Sequence, residues 1–457
     1  MSSVLISILS FAVTLGILVT IHEFGHYWVA RKLGVKVLRF SVGFGKPLWT
    51  RRAGPDNTEY VLAALPLGGY VKMLDESEGP VVAEELPRAF NRQSVSKRFA
   101  IVFAGPLFNF LFAILAYTII FIIGVPGIKP LVGEVINGSV AYTAGLQAGD
   151  EIVAVDQRPT PTWETAMFSL IGKVLDHGTV ELSVRNTNAQ LRNITLDLDN
   201  AATGLESGNL LDNLGIRPFR PSLPAVLGEL EPGGAAIRAG LASGDKILSA
   251  DGREFTDWNE FATYVRGRPG RTIELKVARA EQQLSVDVTA ASVSSATGAI
   301  GRIGAAPVLP TEIPQALRAE VRYSPLEAVG AAVAKSWDIS VLTVRMLGKM
   351  IIGEASLANL SGPISIAQYA GYSASDGLAP FLAFLAIVSI SLGILNLLPV
   401  PLLDGGHLMY YLIEAVKGSP VSQKVQLAGQ QLGIALLIGL TILAFYNDIT
   451  RLLGSQS

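Results

Sequence analysis

The sequence predicts a membrane α-helical protein with four transmembrane helices, a membrane-associated β-hairpin and two small β-rich domains. Three observations predict it. Half of the 457 residues are apolar and 16% are charged, against about 25% charged in soluble domains. Long apolar stretches lie towards the two ends of the chain. Positions 130 to 310, in contrast, have ordinary soluble composition and repeat internally. A net charge of −2 gives no reason to expect nucleic acid as a partner. The chain has no Cys, which excludes disulfides and thiolate metal sites, so a transition metal would have to be held by His and carboxylate.

About 20 residues cross the hydrocarbon core of a bilayer, and four stretches qualify: Val4 to Ala30, Phe99 to Gly124, Leu378 to Val400 and Leu427 to Tyr446. The first, placed within residues 1–30, is expected to be retained. No basic region precedes it, and His22, Glu23 and His26 occupy the place where a signal peptide would be cleaved. Lys and Arg beside the span ends set orientation. Arg31, Lys32, Lys36 and Arg39 follow the first span, Arg92, Lys97 and Arg98 precede the second, and Lys417 and Lys424 lie between the third and fourth. Those loops, 31–98 and 401–426, are expected in the cytoplasm. The middle region and both termini then face the periplasm of a bacterium, the chain being embedded in its inner membrane. Arg451, beyond the last span at 427–447, runs against this pattern.

Within the first loop, Tyr60 to Met73 has two apolar runs around Pro66, Gly68 and Gly69. This stretch is too short and interrupted for a span, and is expected to form a hairpin dipping into the membrane face. Its edge, at Gly68, Gly69, Tyr70 and Val71, could receive a substrate as an added strand.

The middle region is a duplication. Gly133-Glu134 recurs as Gly228-Glu229, Ala144-Gly145-Leu146 as Ala239-Gly240-Leu241 and Gly149-Asp150 as Gly244-Asp245, with Ile152, Asp156 and Trp163 matching Ile247, Asp251 and Trp258 at the same offset. Each copy, 127–220 and 221–310, has short β-type runs and a helix-like stretch after the Trp. The pattern of Ala-Gly-Leu, a Gly-Asp turn and a buried strand resembles a bacterial PDZ domain. Leu214-Gly215-Ile216 and Arg302-Ile303-Gly304 resemble the closing strand and ligand loop of its permuted form. PDZ domains bind extended peptide at a sheet edge, so a peptide or protein ligand is expected here. Residues 325–353 follow, with Lys335, Asp338, Arg345 and Lys349 near one helical face. This helix is expected to be amphipathic, lying on the outer membrane surface or against a PDZ copy.

The first span contains His22-Glu23-Phe24-Gly25-His26, an HExxH sequence. Two His four apart stand on one helix face and can share a metal ion, while Glu23 projects beside them toward a bound water. At about 1.5 Å per residue, His22 is roughly 13 Å along the helix from Arg31, which puts the metal inside the bilayer. Catalytic zinc takes three protein ligands. Of the other His, His177 lies in the repeat region on the far side of the membrane. Asp404 is the better third ligand. It follows Asn396-Leu-Leu-Pro399-Val-Pro401-Leu-Leu, whose prolines cannot continue a helix, and the first and third spans finish on the same side. His407, one turn on, is expected to support the site, not to ligate. Intramembrane His and acids also suit a metal transporter, and PDZ domains suit a noncatalytic scaffold; the transporter gives no reason for HExxH with a PDZ pair, and an intact Glu23 argues against the scaffold.

Together, HExxH in a first span, Asn-x-x-Pro-x-Pro-x-Leu-Asp-Gly in a later one and a tandem PDZ pair between them resemble the site-2 protease family of intramembrane zinc metalloproteases, most closely its proteobacterial branch. Phe90-Asn91 through Phe103-Ala-Gly-Pro-Leu-Phe-Asn109 resembles that branch's second-span motif. The resemblance implies one zinc ion per chain on His22, His26 and Asp404, with Glu23 taking a proton from water and passing it to the leaving amine. It further implies that Asn396 and Asn109 help hold substrate. The implied substrates are single-span membrane proteins, such as an anti-sigma factor already shortened outside the membrane, or remnant signal peptides.

Overall fold

Backbone amides in hydrocarbon must be satisfied within the spanning segment, which makes the helix the solution for a single span. In the computed structural model, which describes residues 2–174, 178–198, 210–280, 282–295, 298–308 and 314–454, seven long helices occur outside the repeat: α1 Ser2–Lys32, α2 Val95–Ile123, α3 Pro325–Ile352, α4 Pro363–Asp376, α5 Leu378–Leu397, α6 Asp404–Lys417 and α7 Gln423–Gly454. Among the described residues four helices, α1, α2, α5 and α7, are long and apolar enough to cross a membrane. The third span was expected to reach Val400; its helix stops at Leu397, where the prolines take over. The chain divides into two units, one formed by Met1–Pro126 and Glu320–Ser457, the other by Gly127–Gly204 and Asn209–Ala319.

In the first unit, α1 buries Ser10, Thr14, Leu18, His22, His26 and Ala30. Their spacing of four makes one ridge along the helix, while Val4, Leu5, Ile8, Leu9 and Val13 stay exposed, as side chains facing lipid would. The ridge packs on α2, which in turn packs on α5. The outer face of α7 is left open at Leu432, Ile438 and Ile442. Its end is tied down by Asp448, whose carboxylate accepts from the amides of Gly362, Ile364 and Ser365 at 2.9, 2.9 and 3.1 Å and from Ser365 Oγ at 2.6 Å. These amides open α4, where unpaired N–H groups and the helix dipole favour an anion.

Helix α3 begins with Pro325 at its first turn and a capping box between Ser324 and Glu327, and ends at Gly353 with φ 80°. It packs against α2 and α5. Its buried face is small, made of Ala328, Ala332, Ser336 and Ile339, whereas Val333 and Trp337 are exposed. Close approach between helices in a membrane selects small residues.

The expected hairpin is larger than the segment assigned to it. Strand β1, Val37–Ala53, pairs with β2, Thr58–Met73, across a turn at 54–57. Both strands are folded. Phe40 has Val71 as a partner on one side and Tyr60 on the other; Trp49 to Ala53 then pair with Leu62 to Thr58. Four extended runs therefore lie side by side, and Gly69 to Met73 forms an outer one that faces Val42 to Val37. Pro66, Gly68 and Gly69 lie where the register breaks, and do not make the hairpin's turn. Arg88 pairs with Asp56 at 2.7 Å and ties the turn to the chain before α2. This guanidinium, against a smaller opposing effect of burial, holds the Asp56 carboxyl below the usual carboxylate range.

In the second unit both copies have a four-stranded sheet of one order. In the first copy it runs Arg158–Pro159, Glu151–Val155, Thr179–Arg185, Leu191–Asp197, and in the second Arg253–Glu254, Lys246–Ala250, Thr272–Arg279, Gln282–Thr289. The closing strands also correspond: Ile216–Pro218 pairs with Val132–Val135, and Ala305–Pro307 with Leu227–Leu230. The duplicated residues have duplicated work. Asp150 and Asp245 are buried, and each bonds an Arg from the last sheet strand or the end of its neighbour, Arg192 and Arg279. Asp156 and Asp251, at φ 45° and 48°, each accept an amide across the sheet at 2.9 Å.

Candidate active site

The first unit brings His22, His26 and Asp404 together. His22 Nε2 lies 3.2 Å from His26 Nε2 and 3.1 Å from Asp404 Oδ2, and His26 Nε2 lies 3.5 Å from the same oxygen. The two His are 9% and 8% exposed. Zinc held tetrahedrally at about 2.0–2.1 Å sets its ligand atoms roughly 3.3 Å apart, and the three separations straddle that value.

The chemistry of the donors agrees. His26 Nδ1 is 2.9 Å from the carbonyl of Ile101, which can only accept, so the ring proton is on Nδ1 and Nε2 offers a lone pair. That lone pair faces a carboxylate oxygen which, though buried, has no hydrogen-bond donor. Donors of one polarity this close repel unless a cation sits among them. The residues therefore fit zinc.

Each member is placed by a local necessity. Helical spacing stacks the His pair on the buried ridge of α1. Gly105 on α2 makes room for both rings: a β-carbon there would lie 2.3 Å from His26 Nε2 and 2.8 Å from His22 Cε1. Asp404 is the first residue of α6. The chain from Leu398 to Leu403 folds back over that helix start, with Val400 N bonded to the Leu398 carbonyl at 2.7 Å and Leu403 N to the Val400 carbonyl at 3.0 Å. Leu402 is held at φ 139°, a strained conformation for a branched side chain. Gly405 and Gly406 permit the fold-back, since β-carbons there would meet the carbonyls of Leu398 at 2.2 Å and Val400 at 2.5 Å.

Glu23 is partly buried on α1 and outside the three-residue cluster. Beside it runs Gly69 of the outer strand: a β-carbon on Gly69 would lie 3.0 Å from Glu23 Cγ. The sheet edge expected at Gly68, Gly69, Tyr70 and Val71 thus passes next to this carboxylate. Asn396 is half-buried in the last turn of α5. Asn109, expected to touch substrate, is completely buried, with its amide nitrogen 3.2 Å from His22 Nδ1. His407 is exposed, packs its ring on Tyr410 and is outside the metal-type cluster. His177 lies outside the described residues. Sequence reasoning missed the Ile101 carbonyl, a backbone atom with no sequence signal, and Gly105, whose signal was its place in the second-span motif.

Comparison with known proteins agrees over the full length. Peptidase family M50 matches residues 10–440. The regulator of sigma-E protease RseP of Escherichia coli K12 is 46% identical over 453 residues, covering 99% of this chain and 100% of that protein. Protease RseP of Yersinia pestis is 45% identical over 457 residues, with 99% and 100% covered. A Vibrio cholerae protein named as a zinc metalloprotease is 45% identical over 454 residues, again with 99% and 100% covered. Similarity of this extent leaves no part of the architecture unmatched: the chain belongs to peptidase family M50, the site-2 proteases, and is a zinc metalloprotease of that type.

Proposed function

We propose that this protease cuts single-span membrane proteins inside their transmembrane segments, with one zinc ion per chain held by His22, His26 and Asp404. The observation that carries the reading is the convergence of two imidazoles of the apolar helix α1 and a carboxylate at the start of α6 within 3.5 Å of one another, beside Glu23. Zinc, when bound, supplies Lewis acidity that makes water nucleophilic near neutral pH and polarises a carbonyl. Glu23 takes the proton of the attacking water and returns it to the leaving amine nitrogen.

A helical substrate hides its carbonyls in its own hydrogen bonds, and each bare polar group in lipid costs several kcal/mol. The outer run Gly69–Met73 lends replacement partners by strand addition, and Gly68, Gly69, Tyr70 and Val71 thereby lead the unwound segment past Glu23. Asn396 helps hold it. The resemblance to the site-2 protease family suggests an anti-sigma factor, already shortened outside the membrane, as the substrate class, with remnant signal peptides as a second. The PDZ-like copies bind peptide or hinder uncut substrates, on the periplasmic face of the inner membrane.

Successive strand amides point to opposite sides, so of Tyr70 and Val71 one donates outward and the other towards β1. Proline at the outward position is expected to lower cleavage of a stable transmembrane helix much more than of one weakened by Gly, with products mapping inside the segment. Equal loss on both substrates, or loss explained by a lower melting temperature, would favour a merely structural sheet.

The orientation has its own check. Single cysteines at Ser77 and Ser419 should be shielded from an impermeant thiol reagent applied to cells with a permeable outer membrane, while one at Ser183 should react. Native cysteines cannot confuse the result, since there are none. Labelling at Ser77 would invert the arrangement.

A further inference from the structure

We infer that Asn109 is a positioning residue of the metal centre: its side-chain oxygen accepts a hydrogen bond from His22 Nδ1–H and fixes the tautomer that presents Nε2 to zinc. This rests on the reading above that His22 is a ligand through Nε2. A ligating imidazole is neutral and keeps its proton on the other nitrogen, where a partner orients the ring and raises its basicity.

For His26 that partner is the Ile101 carbonyl, 2.9 Å from Nδ1. For His22 the group at Nδ1 is the Asn109 amide, with Nδ2 at 3.2 Å and Oδ1 unpartnered. Two N–H groups cannot bond each other. A carboxamide keeps its outline when oxygen and nitrogen exchange places, so a half-turn brings Oδ1 to the imidazole. One end of the amide is unpaired in either sense, and hydrogen-bond counting alone does not choose between them. The imidazole chooses, because Nε2 must be free for the metal.

The surroundings make the residue a fixed support. Ser389 Oγ on α5, itself fully buried, donates to the Asn109 backbone carbonyl at 2.8 Å. On α2, Ile101, Gly105 and Asn109 follow one another at intervals of a turn. They offer in sequence a carbonyl for one ring, space for both rings, and an amide for the other ring. Both ligand histidines of α1 are thus oriented from α2.

The test is zinc affinity of the full-length protein in detergent, measured by competition with a chromogenic chelator. Asn109→Leu, with no acceptor, is expected to bind zinc about 10–100-fold more weakly. Asn109→Asp, which accepts but cannot donate, is expected to remain within a few-fold of wild type or to bind more tightly. A residue that only filled space would give the reverse order, since Leu keeps the volume and Asp buries a charge. Unchanged affinity in the Leu variant, or an equal loss in both, overturns the inference. Should Asn109→Leu fail to fold, Asn109→Asp decides alone, and a drop beyond about tenfold overturns it. His22→Ala runs alongside: unchanged zinc there sinks the ligand assignment itself, whereas zinc lost there but kept in Asn109→Leu sinks only the role of Asn109.

Discussion

Glu23→Gln is expected to retain zinc and to cut a transmembrane substrate about 10²–10⁴-fold more slowly, equivalent to about 3–5 kcal/mol of transition-state stabilisation. Glu23 follows His22 in sequence but is outside the cluster of His22, His26 and Asp404. Gln has the same size, so the close packing against Gly69 survives. What Gln lacks is a carboxylate to take a proton, and the leaving amine then has no acid to receive one from. Zinc content and single-turnover cleavage on the same sample check both halves. Full activity in the variant would remove Glu23 from the chemistry; loss of metal would make it a ligand.

Metal binding itself should collapse in Asp404→Ala, by more than the 10–100-fold typical of losing a supporting partner, because one of the three proposed ligands is gone. A second variant reaches the same end by a different cause. Gly105→Ala puts a methyl group where the His26 ring now stands, with 2.3 Å from β-carbon to Nε2, and must displace a ligand. Alanine is the better helix former by about 1 kcal/mol, so generalised weakening of α2 is not the expected effect. Zinc affinity near wild type in either variant would move the centre elsewhere.

How much was legible depended on whether the signal was chemical or positional. The four spans could be read because twenty apolar residues have few other destinations, and the duplication because Asp150, Asp156 and Trp163 recur at one offset. HExxH could be read because helical spacing fixes geometry locally, and Asp404 because Pro399 and Pro401 announce the helix break. The sheet was misjudged since pairing depends on register: the stretch with Gly43, Gly45, Lys46 and Pro47 has a loop's composition, yet with its neighbours it supplies the partner strand. For α3, periodicity marks an apolar face but not its cover, and the buried side carries the small residues Ala328, Ala332 and Ser336 while Trp337 stays outside. For Asn109 the family resemblance implies a substrate role, carried over by its position in the second-span motif. Its contact with His22 depends on how α1 and α2 meet, which neither helix encodes alone.

The three residues proposed to hold zinc come from opposite ends of the chain, His22 and His26 from α1 and Asp404 from the start of α6. During synthesis, which proceeds from the amino terminus at about 5–20 residues per second, the histidines and Glu23 are made first, and Asp404 follows on the order of tens of seconds later. A nascent chain that stops short of Asp404 therefore has Glu23 and two imidazoles but not the third proposed ligand. The proposed site is therefore complete only once the segment that carries Asp404 has folded back beside α1.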